Sequence, residues 1–190
     1  MNEKISNLIS VMKNNRFEFD EHYAATKSEN CDTAYTQELQ IIEKLNPLID
    51  IYNLKAISSK HYLGNKWTKE IDCEDGDIYI FETINGEIVG KPILYIDIKV
   101  AFVSKYKNFV ATITRTSYDF FANKSNHVYW CFNENGRISI VIDSVKLYNT
   151  VENTEDVWNR SFNVMQSRDK NHDFIKGKWL LENINKFEAK

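Results

Sequence analysis

The chain has 190 residues, of which 43% are hydrophobic and 13% aromatic, so it carries enough apolar material for a core and is not a disordered segment. Its formal net charge of −3 argues against a general nucleic-acid-coating surface. The length indicates one domain over residues 1–190. Cys31, Cys73 and Cys131 are far apart and form no CxxC pair, which excludes a zinc ribbon or a disulfide framework; reduced thiols and a cytoplasmic location are expected. Neither the stretch from Met1 to Ile9 nor any later one has the apolar run of a signal peptide or the ~20 apolar residues of a membrane span, so no membrane association is expected.

In chain order, Ile5, Leu8, Ile9 and Met12 recur at helical spacing and predict a helix over 3–13. Thr33 to Leu45 predicts a second, with Ala34, Ile41, Ile42 and Leu45 on one face, Glu38 in the middle of that face and Glu43 off it. Asn46-Pro47 is expected to end or kink it. Leu54, Ala56 and Ile57 suit a short strand or a turn, and residues 62–67 a loop. Asp77 to Glu82 reads as a strand, Asn85-Gly86 as a hairpin turn, and Pro92 to Val103 as the returning strand. A further strand over 108–114, a short helix over 117–122, and a hairpin from 127–132 to 137–143 about Asn135-Gly136 follow. Val157, Phe162, Val164 and Met165 suggest a helix, and Trp179, Leu180, Ile184 and Phe187 another. The pattern predicts an α+β (α/β) fold, a central mixed sheet flanked by helices.

The chemistry concentrates in Ile93-Leu94-Tyr95-Ile96-Asp97-Ile98-Lys99-Val100. Side chains alternate along a strand, so Leu94, Ile96, Ile98 and Val100 form an apolar face and Asp97 and Lys99 share the other. A carboxylate and an ammonium on a largely apolar strand are costly to desolvate. One reason for them is a structural ion pair at the sheet rim. The other is phosphodiester hydrolysis: a hard divalent cation takes carboxylate oxygens and water, lowers the pKa of a bound water, and leaves a lysine to steady the developing charge. That needs a second carboxylate, and Asp77 on the preceding strand can supply it. A two-residue turn at 85 and 86 pairs positions whose numbers sum to 171, which puts Asp77 opposite Leu94 on the wrong face. One extra residue corrects the parity, and Gly90-Lys91-Pro92 predicts a bulge or loop there. Glu38, a glutamate in an apolar stripe, is the third acid; Glu43 is a poorer candidate.

Charge is divided along the chain. Residues 70–97 carry eight acids and one base, and residues 99–124 carry five bases and one acid. An acidic stretch followed by a basic one suits a metal site beside a polyanion, and it also suits an ordinary mixed surface. Asp72, Glu74 and Asp75 read as a solvated turn. Lys105, Lys107 and Arg115 are candidate phosphate contacts. Tyr118, Phe120, Phe121, Tyr129 and Trp130 suit core packing more than base stacking. His22, His61, His127 and His172 have no metal-ligand spacing. The chain has no GxSxG, GxxxxGK(S/T) or GxGxxG, which argues against a serine hydrolase of the usual kind, a P-loop NTPase and a Rossmann dehydrogenase.

A helical glutamate (Glu38), an Asp opening a strand (Gly76-Asp77), a hairpin, then Asp97-Ile98-Lys99 on the next strand resembles the PD-(D/E)xK nuclease superfamily, over residues 33–143. Gly76 stands where that name expects Pro, and Asp97 where Glu is commoner. The resemblance implies a restriction-endonuclease-like fold and a metal-dependent endonuclease that hydrolyses phosphodiester bonds in DNA. It implies Mg²⁺ or Mn²⁺ held by Asp77 and Asp97 with the Ile98 carbonyl, Lys99 assisting the nucleophilic water, and Glu38 completing the site. It also allows a homodimer, since cutting two strands needs two sites. The alternative is a non-catalytic protein- or DNA-binding module of similar fold.

Overall fold

The computed structural model describes residues 3–18, 30–66, 68, 76–100, 113–122, 124–132, 136–154, 157–160 and 173–190. Helix α1 covers Glu3–Asn14, with Glu3 in its first turn and Lys13 in its last, as the helix dipole favours. Helix α2 covers Asn30–Ile49. It does not end at Asn46. Pro47 lies in the last turn, where its missing N–H removes a single hydrogen bond, and Ile49 continues the buried row of Ile41 and Leu45. Asn46 accepts from Ala56 N at 2.8 Å and donates to Ala56 O at 3.1 Å, so α2 caps the edge of the sheet.

Strand β1 (Leu54–Ser58) leads into the short helix α3 (Ser59–Leu63) and a 3₁₀ turn over Gly64–Lys66, where the sequence suggested a loop. Strands β2 (Ile78–Ile84) and β3 (Glu87–Val100) form the expected hairpin. Asn85 and Gly86 both take positive φ, 52° and 81°, the backbone of a tight two-residue turn. The strand expected over 108–114 falls largely outside the described residues, and Thr114 instead caps helix α4 (Arg115–Phe121). Strands β4 (His127–Phe132) and β5 (Ser139–Asp143) pair antiparallel, as the sequence predicts.

Helix α5 (Ser144–Glu152) follows β5 directly, unforeseen in the sequence, although Asp143 caps it and Leu147 and Val151 have helical spacing. Val157 precedes strand β6 (Trp158–Arg160), not a helix; Phe162, Val164 and Met165 lie outside the described residues. Strand β7 (Asp173–Ile175) pairs with β6. The expected last helix is two short ones, α6 (Gly177–Glu182) and α7 (Ile184–Phe187), broken at Asn183.

The main sheet has the order β1-β2-β3-β4-β5, antiparallel except for the parallel β3–β4 pair. This is the mixed sheet of an α+β fold. One face, with Ile80, Leu94, Ile96, Val128 and Trp130, packs on α1 and α2 through Leu8, Met12, Ile41 and Leu45. Phe17 meets Trp130 edge to face at 4.7 Å. The other face, with Tyr129, Cys131 and Ile142, packs on α4 to α7 and β7 through Phe121, Leu147, Ile175, Leu180 and Phe187. Both faces of the central strands are covered, so β4 is buried at every residue. Among the described residues, no helix is long and apolar enough to cross a membrane.

Candidate active site

The β2–β3 ladder is broken between Ile80 and Glu82. Before the turn the pairs are Glu82 with Val89 and Thr83 with Ile88; beyond the break they are Ile80 with Leu94 and Ile78 with Ile96. Phe81 on β2 thus faces four residues, Gly90 to Ile93, on β3. The excess is three residues rather than the single one expected, which gives the same parity, and it falls at the expected Gly90-Lys91-Pro92; Gly90 takes φ +72°. Continuing the second register by one residue sets Asp77 opposite Asp97. The Asp77 backbone N–H donates to Ile96 O at 2.8 Å, and its carbonyl accepts from Ser59 N at 2.8 Å.

Gly76 is required where it stands. Its φ is +87°, and a Cβ there would lie 2.9 Å from the Ile96 carbonyl oxygen. Gly76 therefore lets the chain cross β3 closely enough to deliver Asp77.

Asp77 Oδ2 accepts the Ile98 N–H at 2.6 Å, replacing a backbone acceptor at the point where β2 gives out and β3 runs on. Asp97 is 5% exposed. Its Oδ1 accepts from Lys99 Nζ at 2.7 Å and its Oδ2 from the Ser117 hydroxyl of α4 at 2.9 Å. The parallel register sets Tyr129 beside Asp97 and Cys131 beside Lys99 on the same face.

Burial, and then the neighbouring charge of Asp97, hold the Asp77 carboxyl well above the ordinary carboxylate range; Lys99 opposes this and Glu38 adds to it. Burial also acts to raise Asp97, but the Lys99 charge outweighs it and its pKa is lowered. Lys99 is raised: burial works against its charge, and Asp97 and Asp77 more than restore it. Asp97 and Asp77 thus act on the Lys99 ammonium, and Glu38 acts on Asp77. Glu38 is 9% exposed and reaches Asp77 through its charge.

Among the described residues, no group of three or more His, Cys, Asp or Glu side chains forms a ready-made metal cage. Two carboxylates are nonetheless the protein donors that Mg²⁺ uses when phosphate oxygens and waters supply the rest. Burial and the Asp97 charge oppose ionisation of Asp77, and a divalent cation between the two carboxyls would offset that cost, so the donor set fits a hard divalent cation.

Of the remaining candidates, Arg115 is engaged by other groups: its guanidinium bonds Asp119 at 3.2 Å and stacks 4.6 Å over Trp158. Lys105, Lys107, Asp72, Glu74 and Asp75 lie outside the described residues. Phe121 and Tyr129 are core residues, as expected, while Phe120 is 42% exposed. Ser117 and Tyr129 were not expected at the site, because only the parallel β3–β4 pairing and the docking of α4 bring them there. His127, also on this face, is buried against Phe121 and bonds Ser144; burial lowers its pKa to about 3, so it is a neutral core residue.

Comparison with family models, with curated proteins and with solved structures finds no match for the chain. The fold and the site define its class: an α+β protein whose five-stranded mixed sheet carries a paired-aspartate and lysine centre at the β2–β3 split.

Proposed function

We propose that the protein is a metal-dependent endonuclease acting on phosphodiester bonds in DNA, with a restriction-endonuclease-like arrangement of helical Glu38, strand-opening Asp77, hairpin and Asp97-Ile98-Lys99. The observation that carries this reading is the odd register shift at Gly90 to Ile93, which sets Asp77 opposite Asp97 with Lys99 on the same face. A ladder without that irregularity has no need to distort; this one does, and the distortion delivers the second carboxylate to the first.

Asp77, Asp97 and the Ile98 carbonyl would hold Mg²⁺ or Mn²⁺. When bound, the ion supplies Lewis-acid polarisation of the phosphate and a more acidic water. Asp97 keeps its charge because Lys99 stands beside it. Asp77 must give up its proton for the pair to act, so activity rises with pH above the ordinary carboxylate range. Lys99, joined to Asp97 at 2.7 Å with its side chain 24% exposed, would orient the attacking water and meet the charge that develops on the phosphate. Glu38 adds negative charge behind Asp77. DNA is the substrate on the strength of the motif order alone, with Lys105, Lys107 and Arg115 as candidate phosphate contacts.

One observation favours a binding module without catalysis: both oxygens of Asp97 and one of Asp77 already have protein donors. Titration with Mn²⁺ separates the two. A nuclease binds the ion and loses it in Asp77→Asn and Asp97→Asn; a module held by a structural ion pair binds none.

A further inference from the structure

The Asp97 carboxylate faces Asp77, with which it shares a side-chain hydrogen bond, and it is held from two further places. Lys99, two residues along the same strand, takes Oδ1, and Ser117, on the helix that crosses to β4, takes Oδ2. Ser117 is itself fixed. Its backbone N–H donates to Thr114 Oγ1 at 3.3 Å, the cap of α4, and the next residue, Tyr118, is buried in the second core with its N–H on Thr114 O at 2.9 Å. The Ser117 oxygen stands 3.4 Å from the Tyr129 hydroxyl, and Tyr129 is 1% exposed. A serine has one hydroxyl proton. Because that proton goes to an ionised carboxylate, Tyr129 donates to Ser117, and the order Tyr129 to Ser117 to Asp97 runs one way.

We propose that Ser117, backed by Tyr129, is the positioning residue for Asp97 and sets the affinity of the centre for a divalent cation. The inference rests on the reading of Asp77 and Asp97 as the cation-binding pair. A carboxylate tied at one oxygen to a lysine can still turn about its Cβ–Cγ bond. A second donor on the other oxygen fixes its plane and leaves a lone pair on each oxygen for the ion. The second donor is neutral, so it orients the group without cancelling the charge that a cation needs. Lys99 alone would do the opposite, neutralising the carboxylate without fixing it. Partners of this kind are worth about 10- to 100-fold in metal affinity.

The test is a Mn²⁺ titration, followed by the electron spin resonance of the free ion, on wild type, Ser117→Ala, Ser117→Thr and Asp97→Asn, with thermal melts to establish folding. Ser117→Ala should weaken Mn²⁺ binding by about 10- to 100-fold. Ser117→Thr, which keeps the hydroxyl, should restore it to within a few-fold of wild type. In cleavage assays the loss should appear as a higher metal concentration at half-maximal rate, with the rate at saturating metal little changed. If Ser117→Ala does not fold, Ser117→Cys, a poorer donor of nearly the same shape, takes its place in the titration with the same expected loss. Wild-type affinity in the alanine or cysteine variant, beside loss of binding in Asp97→Asn, overturns the role of Ser117 and leaves the nuclease reading standing. A wild-type protein that binds no Mn²⁺ overturns both.

Discussion

Asp77 and Asp97 are chemically alike and sit opposite one another, yet their environments push them apart. Asp77 is raised by burial and by Asp97; Asp97, paired with Lys99, is lowered. A raised carboxyl destabilises the fold when it ionises: the penalty is absent at low pH and grows as pH rises towards the folded pKa. Asp77→Asn removes that penalty while keeping an oxygen to accept the Ile98 N–H. It should therefore raise the melting temperature at neutral pH, by an amount that vanishes towards pH ~4, the ordinary Asp value. A lowered carboxyl works the other way, its contribution being present above the ordinary pKa and lost as pH falls. Asp97→Asn leaves Lys99 half-buried without its carboxylate and should cost ~1–3 kcal/mol at neutral pH, a buried-pair penalty reduced for the 24% exposure of Lys99. Opposite roles in stability, with metal binding lost in both variants, would be the signature of a functional pair. Thermal melts of the two variants from pH 4 to pH 8 check this; a destabilised Asp77→Asn at neutral pH contradicts it. At the neighbouring position, Gly76→Ala must strain both a left-handed backbone and the Ile96 carbonyl contact, and ~1–3 kcal/mol of stability should be lost in urea melts.

At the scale of the element, the bulge in β3 is the device on which the site depends. Because side chains alternate, only the parity of the insertion matters for which face a residue meets. Deleting Lys91 alone should turn Asp97 away from Asp77 and abolish Mn²⁺ binding. Deleting Gly90 and Lys91 together keeps the parity odd and should preserve measurable binding in the same titration; equal loss in both would refute the parity account. Parity was legible in the sequence, because Asn85-Gly86 fixes the turn and Gly90-Lys91-Pro92 cannot make a regular ladder. Its size, three residues rather than one, was not, since a strand's reach past a bulge depends on what covers it. Helix α2 escaped the sequence reading at its C-terminus for a related reason. Proline propensity argues for a stop at Asn46, but burial of Ile49 in the core and the two Asn46 bonds to Ala56 outweigh one missing hydrogen bond. Helix α5 was missed because strand and helix abut at Asp143 with no glycine or proline between them. In β4, His127 is held neutral with its pKa near 3, so protonation favours the unfolded chain. Wild type should lose stability as pH falls below ~6.5, by up to ~1.4 kcal/mol per unit, and His127→Gln should lose less in parallel urea melts.

For the whole molecule, the sheet separates two packing regions, and the candidate site belongs to the face covered by α4 to α7. Apart from Glu38 on α2, the core under α1 and α2 should then support stability without tuning the chemistry. Leu45→Ala, at a fully buried position of that core, should cost ~2–5 kcal/mol in denaturant melts and leave Mn²⁺ affinity unchanged at temperatures where the variant is folded. The α+β class, the central hairpin and the Asp77, Asp97 and Lys99 juxtaposition were readable because they depend on local turn chemistry and period-two alternation. The contribution of Ser117 was not, because it depends on a crossover that brings residues 97, 117 and 129 together from three elements. The central claim is that this sheet carries a working phosphodiesterase centre. The most direct measurement is cleavage of plasmid and single-stranded DNA with Mg²⁺ or Mn²⁺ by wild type, Asp97→Asn and Lys99→Ala. Wild type should cut in a metal-dependent way, and both folded variants should not. No cutting of either substrate, together with no metal binding, would contradict that claim and reduce Asp97 and Lys99 to a structural ion pair.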